Sequence, residues 1–134
     1  MTAFFDTNVL VYAMTGGPRG GVARGRLRHG GVISTQVLNE FVRVSRKKLE
    51  LDWSIVEAAL GEFRALVDQV VPIAVTTHEA AVSLAKGHGF DIYDALIVAA
   101  ALEAGCDTLF TEDMQHGRVI DGLTIRNPLH ESPS

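Results

Sequence analysis

Ala3-Phe4-Phe5-Asp6-Thr7-Asn8 is the stretch on which the fold turns. Three apolar residues read as a short buried strand, and the run ends on three side chains whose oxygens cap helices. Val9 to Met14 makes the helix that follows, so the chain opens strand, then helix. The alternation repeats downstream. Gly16-Gly17-Pro18 breaks the first helix. Val22 to His29 reads as a basic helix ended by Gly30-Gly31, and Val32-Ile33-Ser34 as a second strand. Ser34 or Thr35 caps a helix reaching about Leu49, and Trp53 to Val67 repeats apolar residues at helical spacing. Pro72 to Val75 is expected as a third strand, with proline at its start, where a missing N–H is tolerated. Thr77 is expected to cap a helix to about Lys86. Ile92 to Ala104 is apolar nearly all round, as a buried helix is. Thr108 to Thr111 is a fourth strand and Leu123 to Ile125 a fifth, before a tail expected to be flexible over 130–134. Strands alternating with helices predict an α/β fold. It should be a three-layer α/β/α sandwich with a central parallel sheet of four to five strands, in one domain spanning 1–134.

Asp6 ends the first strand, and three further acids stand at comparable places. Glu40 lies at the margin of the apolar arc of the third helix, Asp94 in the first turn of the buried helix, and Asp113 just past the fourth strand. Open α/β sheets gather such positions at one edge, where ligands bind. Each acid also has a purely structural explanation. Asp6 or Asn8 can serve as a helix cap. Glu40 can pair with Arg43 one turn on, for a few tenths of a kcal/mol. Asp91 suits an N-cap and Asp94 the third helical position, both favoured by the macrodipole. Asp113 can be a loop acid before the turn at Gln115-His116-Gly117, with Glu112 as reserve for the cleft. Strand alternation favours Asp113, with the Thr111 hydroxyl on the same side in support. The Asn8 amide is placed to orient Asp6 or a bound water.

The four acids would repel if brought together. At ~4 Å and an effective dielectric near 20, a carboxylate pair costs roughly 4 kcal/mol. A divalent cation is the simplest relief, and carboxylate oxygens suit Mg2+ or Mn2+, as one ion or two. The expectation is therefore a metal-dependent enzyme acting on phosphates, with Asp6, Glu40, Asp94 and Asp113 as both catalytic and metal-holding residues. Arg43 and Lys47 follow Glu40 on nearly the same ridge and are candidates to hold substrate phosphates.

Composition sets the bounds. The chain has 134 residues, 47% of them apolar, and no run long enough to cross a bilayer. Cys106 is the only cysteine, so no internal disulfide exists and a cytoplasmic location is expected. Net charge is −4, yet up to Lys48 only Asp6 and Glu40 oppose eight basic residues. A basic side of this kind can hold a polyanion despite the net charge. The phosphate-binding GxxxxGK[ST] and GxGxxG patterns are missing, the five histidines show no ligand spacing, and no serine has a nucleophile-elbow setting.

The segments around these acids resemble the PIN domain family: Phe5-Asp6-Thr7-Asn8-Val9-Leu10-Val11-Tyr12, Ser34-Thr35-Gln36-Val37-Leu38-Asn39-Glu40-Phe41, Ile92-Tyr93-Asp94-Ala95-Leu96-Ile97, and Leu109-Phe110-Thr111-Glu112-Asp113 onward to His116-Gly117. Ile125-Arg126-Asn127-Pro128 is similar to the usual ending, apart from Leu129 where an aromatic is common. The small form resembles VapC, the toxin ribonuclease of toxin–antitoxin pairs. The resemblance implies a Mg2+- or Mn2+-dependent endoribonuclease with Asp6, Glu40, Asp94 and Asp113 at its acidic positions and Asn8 and Thr111 at accessory polar ones. It also implies a VapB-like antitoxin partner and a homodimer, with a larger toxin–antitoxin assembly open. Two other readings stand beside it. One is a Mg2+-dependent phosphatase-like hydrolase using Asp6 as nucleophile, which wants a second acid where Asn8 stands. The other is a non-catalytic binding module of the same fold.

Overall fold

The computed structural model describes residues 1–130. In chain order the elements are β1 Ala3–Phe5, α1 Thr7–Thr15, α2 Gly17–Arg28, β2 Val32–Ser34, α3 Thr35–Lys47, α4 Trp53–Leu66, β3 Gln69–Val71, α5 Val75–His88, α6 Ile92–Glu103, β4 Thr108–Phe110, β5 Val119–Ile120 and β6 Leu123–Arg126. The strands form one sheet in the order β3-β2-β1-β4-β6-β5, parallel throughout except for β5, which returns antiparallel to β6.

The order explains the layers. From β1 to β2 to β3 the chain steps in one direction, and right-handed crossovers place α1 to α4 on one face. From β3 it returns past β1 to β4, which puts α5 and α6 on the other. Helix contacts agree: α1 packs on α2 and α3, α3 on α4, and α5 on α6. The strands between these layers are buried on both faces, and Phe4, Phe5, Ile33, Leu109, Phe110 and Ile125 are at most 1% exposed. Strand order reverses between β1 and β4, held in register by Ala3 opposite Thr108 and Phe5 opposite Phe110. That crevice is where open α/β sheets bind ligands.

The expected three-layer sandwich is the observed one, with six strands in place of four to five. The extra strand is β5, only two residues long and too short to show a period. The third strand lies earlier than expected. It is Gln69–Val71, and Pro72, lacking an N–H, ends it instead of opening it. Thr77 stands inside α5, not at its cap. Its buried hydroxyl accepts from the Ala74 N–H (3.1 Å) and donates to Glu103 (2.8 Å), tying the start of α5 to the end of α6. Helix α2 begins at Gly17, because Pro18 falls in its first turn, where proline starts a helix.

Two glycines of the Gly16–Gly31 region are there for close approach. A Cβ on Gly20 would lie 2.7 Å from the Tyr12 carbonyl of α1. Gly31 has φ +154°, and a Cβ there would lie 2.5 Å from the Phe5 ring and 2.7 Å from the Ala3 carbonyl. The tail expected over 130–134 falls outside the described residues beyond His130.

Candidate active site

Asp6 leaves the carboxyl end of β1 and Thr111 the carboxyl end of β4, side by side in the sheet; the Asp6 N–H donates to the Phe110 carbonyl at 3.0 Å. The Thr111 hydroxyl donates to Asp6 Oδ2 at 2.8 Å. The other oxygen, Oδ1, accepts from the Thr7 N–H at 2.7 Å and caps α1. Asp6 thus does both jobs set out for it, cap and cleft acid, with no division of labour with Asn8.

Asn8, one turn into α1, points across to β4. Its amide donates to Thr111 Oγ1 (3.2 Å) and to Asp113 Oδ2 (3.1 Å). It therefore steadies Asp113 directly and Asp6 only through Thr111. The Thr111 oxygen also accepts from the Asp113 N–H at 3.1 Å. One hydroxyl, fully buried, thus joins Asp6, Asn8 and the Asp113 backbone. Its support of Asp113 runs through the backbone and not the carboxylate.

Glu40 comes in from α3. Its two oxygens accept from the Thr7 hydroxyl (3.0 Å) and the Gln36 amide (3.3 Å). The alternative pairing with Arg43 is absent among the described residues. Asp94 is half-buried at the third position of α6, while Asp91 caps that helix through the Tyr93 N–H at 3.2 Å. The body of α6 is buried, as Ala95 and Ile97 to Ala101 show, but its first turn opens toward solvent. Glu112 turns aside to accept from the Tyr12 hydroxyl at 2.9 Å, and Arg19 donates to that same hydroxyl at 3.3 Å.

All four acids line one cavity of about 370 Å3, with Thr7, Asn8, Tyr12, Tyr93, Glu112 and Lys48. Their charges are felt. Burial, then the nearby Asp113 and Glu40, push the Asp6 carboxyl up to about 6, against the hydrogen bonds from Thr111 and Thr7. Burial raises Asp94 as well, followed by Asp91, Asp113 and Glu40. Among the described residues, no three His, Cys, Asp or Glu side chains are grouped as a ready-made ligand set for one ion. The donor chemistry still fits Mg2+ or Mn2+. Mg2+ keeps several waters and commonly takes only one or two carboxylates, and the oxygens that face this cavity carry repulsion that a cation would relieve.

Arg43 and Lys47 are exposed on the ridge of α3 that carries Glu40. They line an adjoining hollow with Glu40, Val44 and Lys48. Reading by residue type missed four participants: Thr7, Gln36, Tyr12 and Tyr93. Gln36 was findable, since it stands one turn before Glu40. Tyr12 and Glu112 meet only through the fold.

The sequence profile of the PIN domain matches residues 3–121. Among curated proteins none matches the sequence significantly. Solved structures do match the fold. A toxin–antitoxin complex from Klebsiella pneumoniae has a TM-score of 0.73 at 23% identity, over 95% of this chain and 98% of that one. DNA-bound VapBC from Salmonella typhimurium has 0.69 at 21%, over 96% and 98%. Mycobacterium tuberculosis VapC20, described as a sarcin-ricin loop cleaving toxin, has 0.68 at 21%, over 84% and 92%. With its acids gathered at the β1/β4 crevice and the family profile running through all four of them, the chain belongs to the PIN domain family.

Proposed function

We propose that the chain is an endoribonuclease that hydrolyses RNA phosphodiester bonds with Mg2+ or Mn2+ at Asp6, Glu40, Asp94 and Asp113, and that it is the toxin of a toxin–antitoxin pair. The observation that carries the reading is the meeting of four acids from four parts of the chain in one cavity at the strand-order reversal of a PIN fold. The structural matches to a VapC toxin and to toxin–antitoxin complexes support the second half. A VapB-like antitoxin, a homodimeric toxin and a cytoplasmic site of action go with it.

When bound, such an ion supplies Lewis-acid stabilisation of charge growing on the phosphate and activation of water for attack. The chain's own groups do the positioning. Thr7 and Thr111 fix both oxygens of Asp6, Asn8 fixes Asp113, and Thr7 with Gln36 fixes Glu40. Val11, Val44 and Ile97 give the cavity an apolar wall that limits water. Lys47 and Lys48, with Arg43 beside them, form the cationic rim that an RNA backbone needs next to an acidic pocket. An aspartyl-phosphate route is disfavoured, since Asn8 stands where a second acid is wanted and its amide is committed to Thr111 and Asp113.

The test uses the purified full chain, freed of any antitoxin, on single-stranded RNA. Cleavage should require Mg2+ or Mn2+, stop with chelator, leave 5′-phosphate ends, and fall about a hundred- to a thousandfold in Asp6→Asn, the scale of losing a principal electrostatic group. Equal cleavage by that variant, or cleavage indifferent to chelator, would remove this site from the chemistry.

A further inference from the structure

Beside the acid cavity lies a second hollow of about 260 Å3, lined by Gln36, Asn39, Glu40, Arg43 and Tyr93. Four of these five stand on α3 at successive turns of one face, and Tyr93 closes the hollow from the first turn of α6. Tyr93 is 56% exposed in the first turn of a helix whose body is buried, and it directly precedes Asp94. Neither its hydroxyl, nor the Asn39 amide, nor the Arg43 guanidinium has a hydrogen-bond or ionic partner among the described residues. Gln36 spends its NH2 on Glu40, which leaves its carbonyl oxygen free.

An exposed aromatic face opposite unpaired amide and guanidinium groups is the chemistry that takes up an unpaired nucleobase. The ring offers stacking, which any base accepts, and the polar groups read an edge. We propose that this hollow binds one unstacked base of the RNA, on the nucleotide next to the phosphate held at the carboxylates, and that it favours guanine. Tyr93 is the stacking platform. Arg43 is the edge reader, its paired N–H groups matching the O6 and N7 acceptors that guanine alone presents together. Asn39 supplies an adaptable donor and acceptor. Glu40 borders both the hollow and the acid cavity, which is why base and phosphate must belong to neighbouring positions. The subsite rests on the ribonuclease reading above, since it positions the substrate of that reaction.

Short single-stranded RNAs differing only in the base beside one cut position test it. The full chain with Mg2+ should cut next to G in preference to A, U or C. Tyr93→Ala should lose about ten- to a hundredfold in kcat/KM on the preferred RNA, while Tyr93→Phe keeps it. Arg43→Lys, which retains a phosphate-binding charge but not the paired donors, should abolish the preference for G. In the Asp6→Asn background, Tyr93→Ala should weaken binding of a fluorescein-labelled RNA by a similar factor, read by anisotropy. Asp6-dependent cleavage with the same rate and base preference in Tyr93→Ala would overturn the subsite and leave the nuclease standing. So would a Tyr93→Ala defect confined to antitoxin binding or self-association. Absence of Asp6-dependent cleavage in the wild type would overturn the nuclease reading itself, and the subsite with it.

Discussion

Asp6 is 4% exposed and meets other carboxylates across the cavity, so its charged form costs the folded chain energy. The acid titrates near 3.8 when unfolded and is pushed up to about 6 when folded, so the native state holds the extra proton between those values. By linkage the fold gains stability as pH falls through 6 and gives it up again as pH rises. Asparagine has the same shape and no charge. In chelator at about pH 7.5, Asp6→Asn should therefore be more stable than wild type by about 1–3 kcal/mol, with the gap closing below about pH 4. Urea denaturation at both pH values reads this. A variant no more stable than wild type at the higher pH would mean that the carboxylate is not strained. That a residue central to the proposed chemistry should weaken the fold is ordinary at a functional site.

At the scale of elements, the tightest constraint is the entry to β2. Gly31 lets the chain pass against Phe5 and Ala3 of β1, at a φ that L side chains rarely adopt. Gly31→Ala brings both strain and overlap, and should cost about 2–4 kcal/mol. The melting temperature should fall by several degrees, whereas Gly21→Ala, with nothing within 4 Å of its Cβ, should not lower it. An unchanged melting temperature in Gly31→Ala would show that β1 and β2 can separate cheaply. This kind of constraint explains what could and could not be read from residues alone. The long elements α4 and α6 were legible, α4 because apolar spacing repeats over several turns and α6 because it is apolar nearly all round. β3 was misplaced because Val70-Val71-Pro72-Ile73 offers apolar residues on both sides of the proline, and only the pairing with Val32 to Ser34 selects the first half. Glycine-rich α2 lacked apolar periodicity, and the close approach that demands Gly20 exists only once α1 packs on it. The meeting of four acids in one cavity was legible because Asp6, Asp94 and Asp113 stand at element boundaries that an α/β fold gathers at one edge, and Glu40 at the margin of the apolar arc of α3. Tyr93 was not, because neither residue type nor local spacing says which exposed side chains border the same hollow.

Taken whole, the molecule carries net charge −4 and a pocket of acids, while the substrate proposed for it is a polyanion. The sign is reversed locally by the end of α3. Lys47 and Lys48 stand along the flank of Glu40, with no ion-pair partner among the described residues, so their charge is available to phosphates. Each phosphate neutralised on a single strand releases counterions and contributes about −0.7 to the slope of log K against log salt. A double variant, Lys47→Ala with Lys48→Ala, should therefore bind labelled RNA more weakly by a similar factor whatever its base sequence, and flatten that slope by about 1.4. The measurement is anisotropy between about 50 and 300 mM salt in the Asp6→Asn background, where RNA stays intact. The salt slope separates phosphate contact from base contact. Loss at Lys47 and Lys48 should change the slope and leave base preference alone, while loss at Tyr93 should weaken binding and leave the slope alone. A slope unmoved by removing both lysines would place the RNA backbone on another face, and the basic α2, with Arg24 and Arg28 on the far side of α1, would be the surface to examine next.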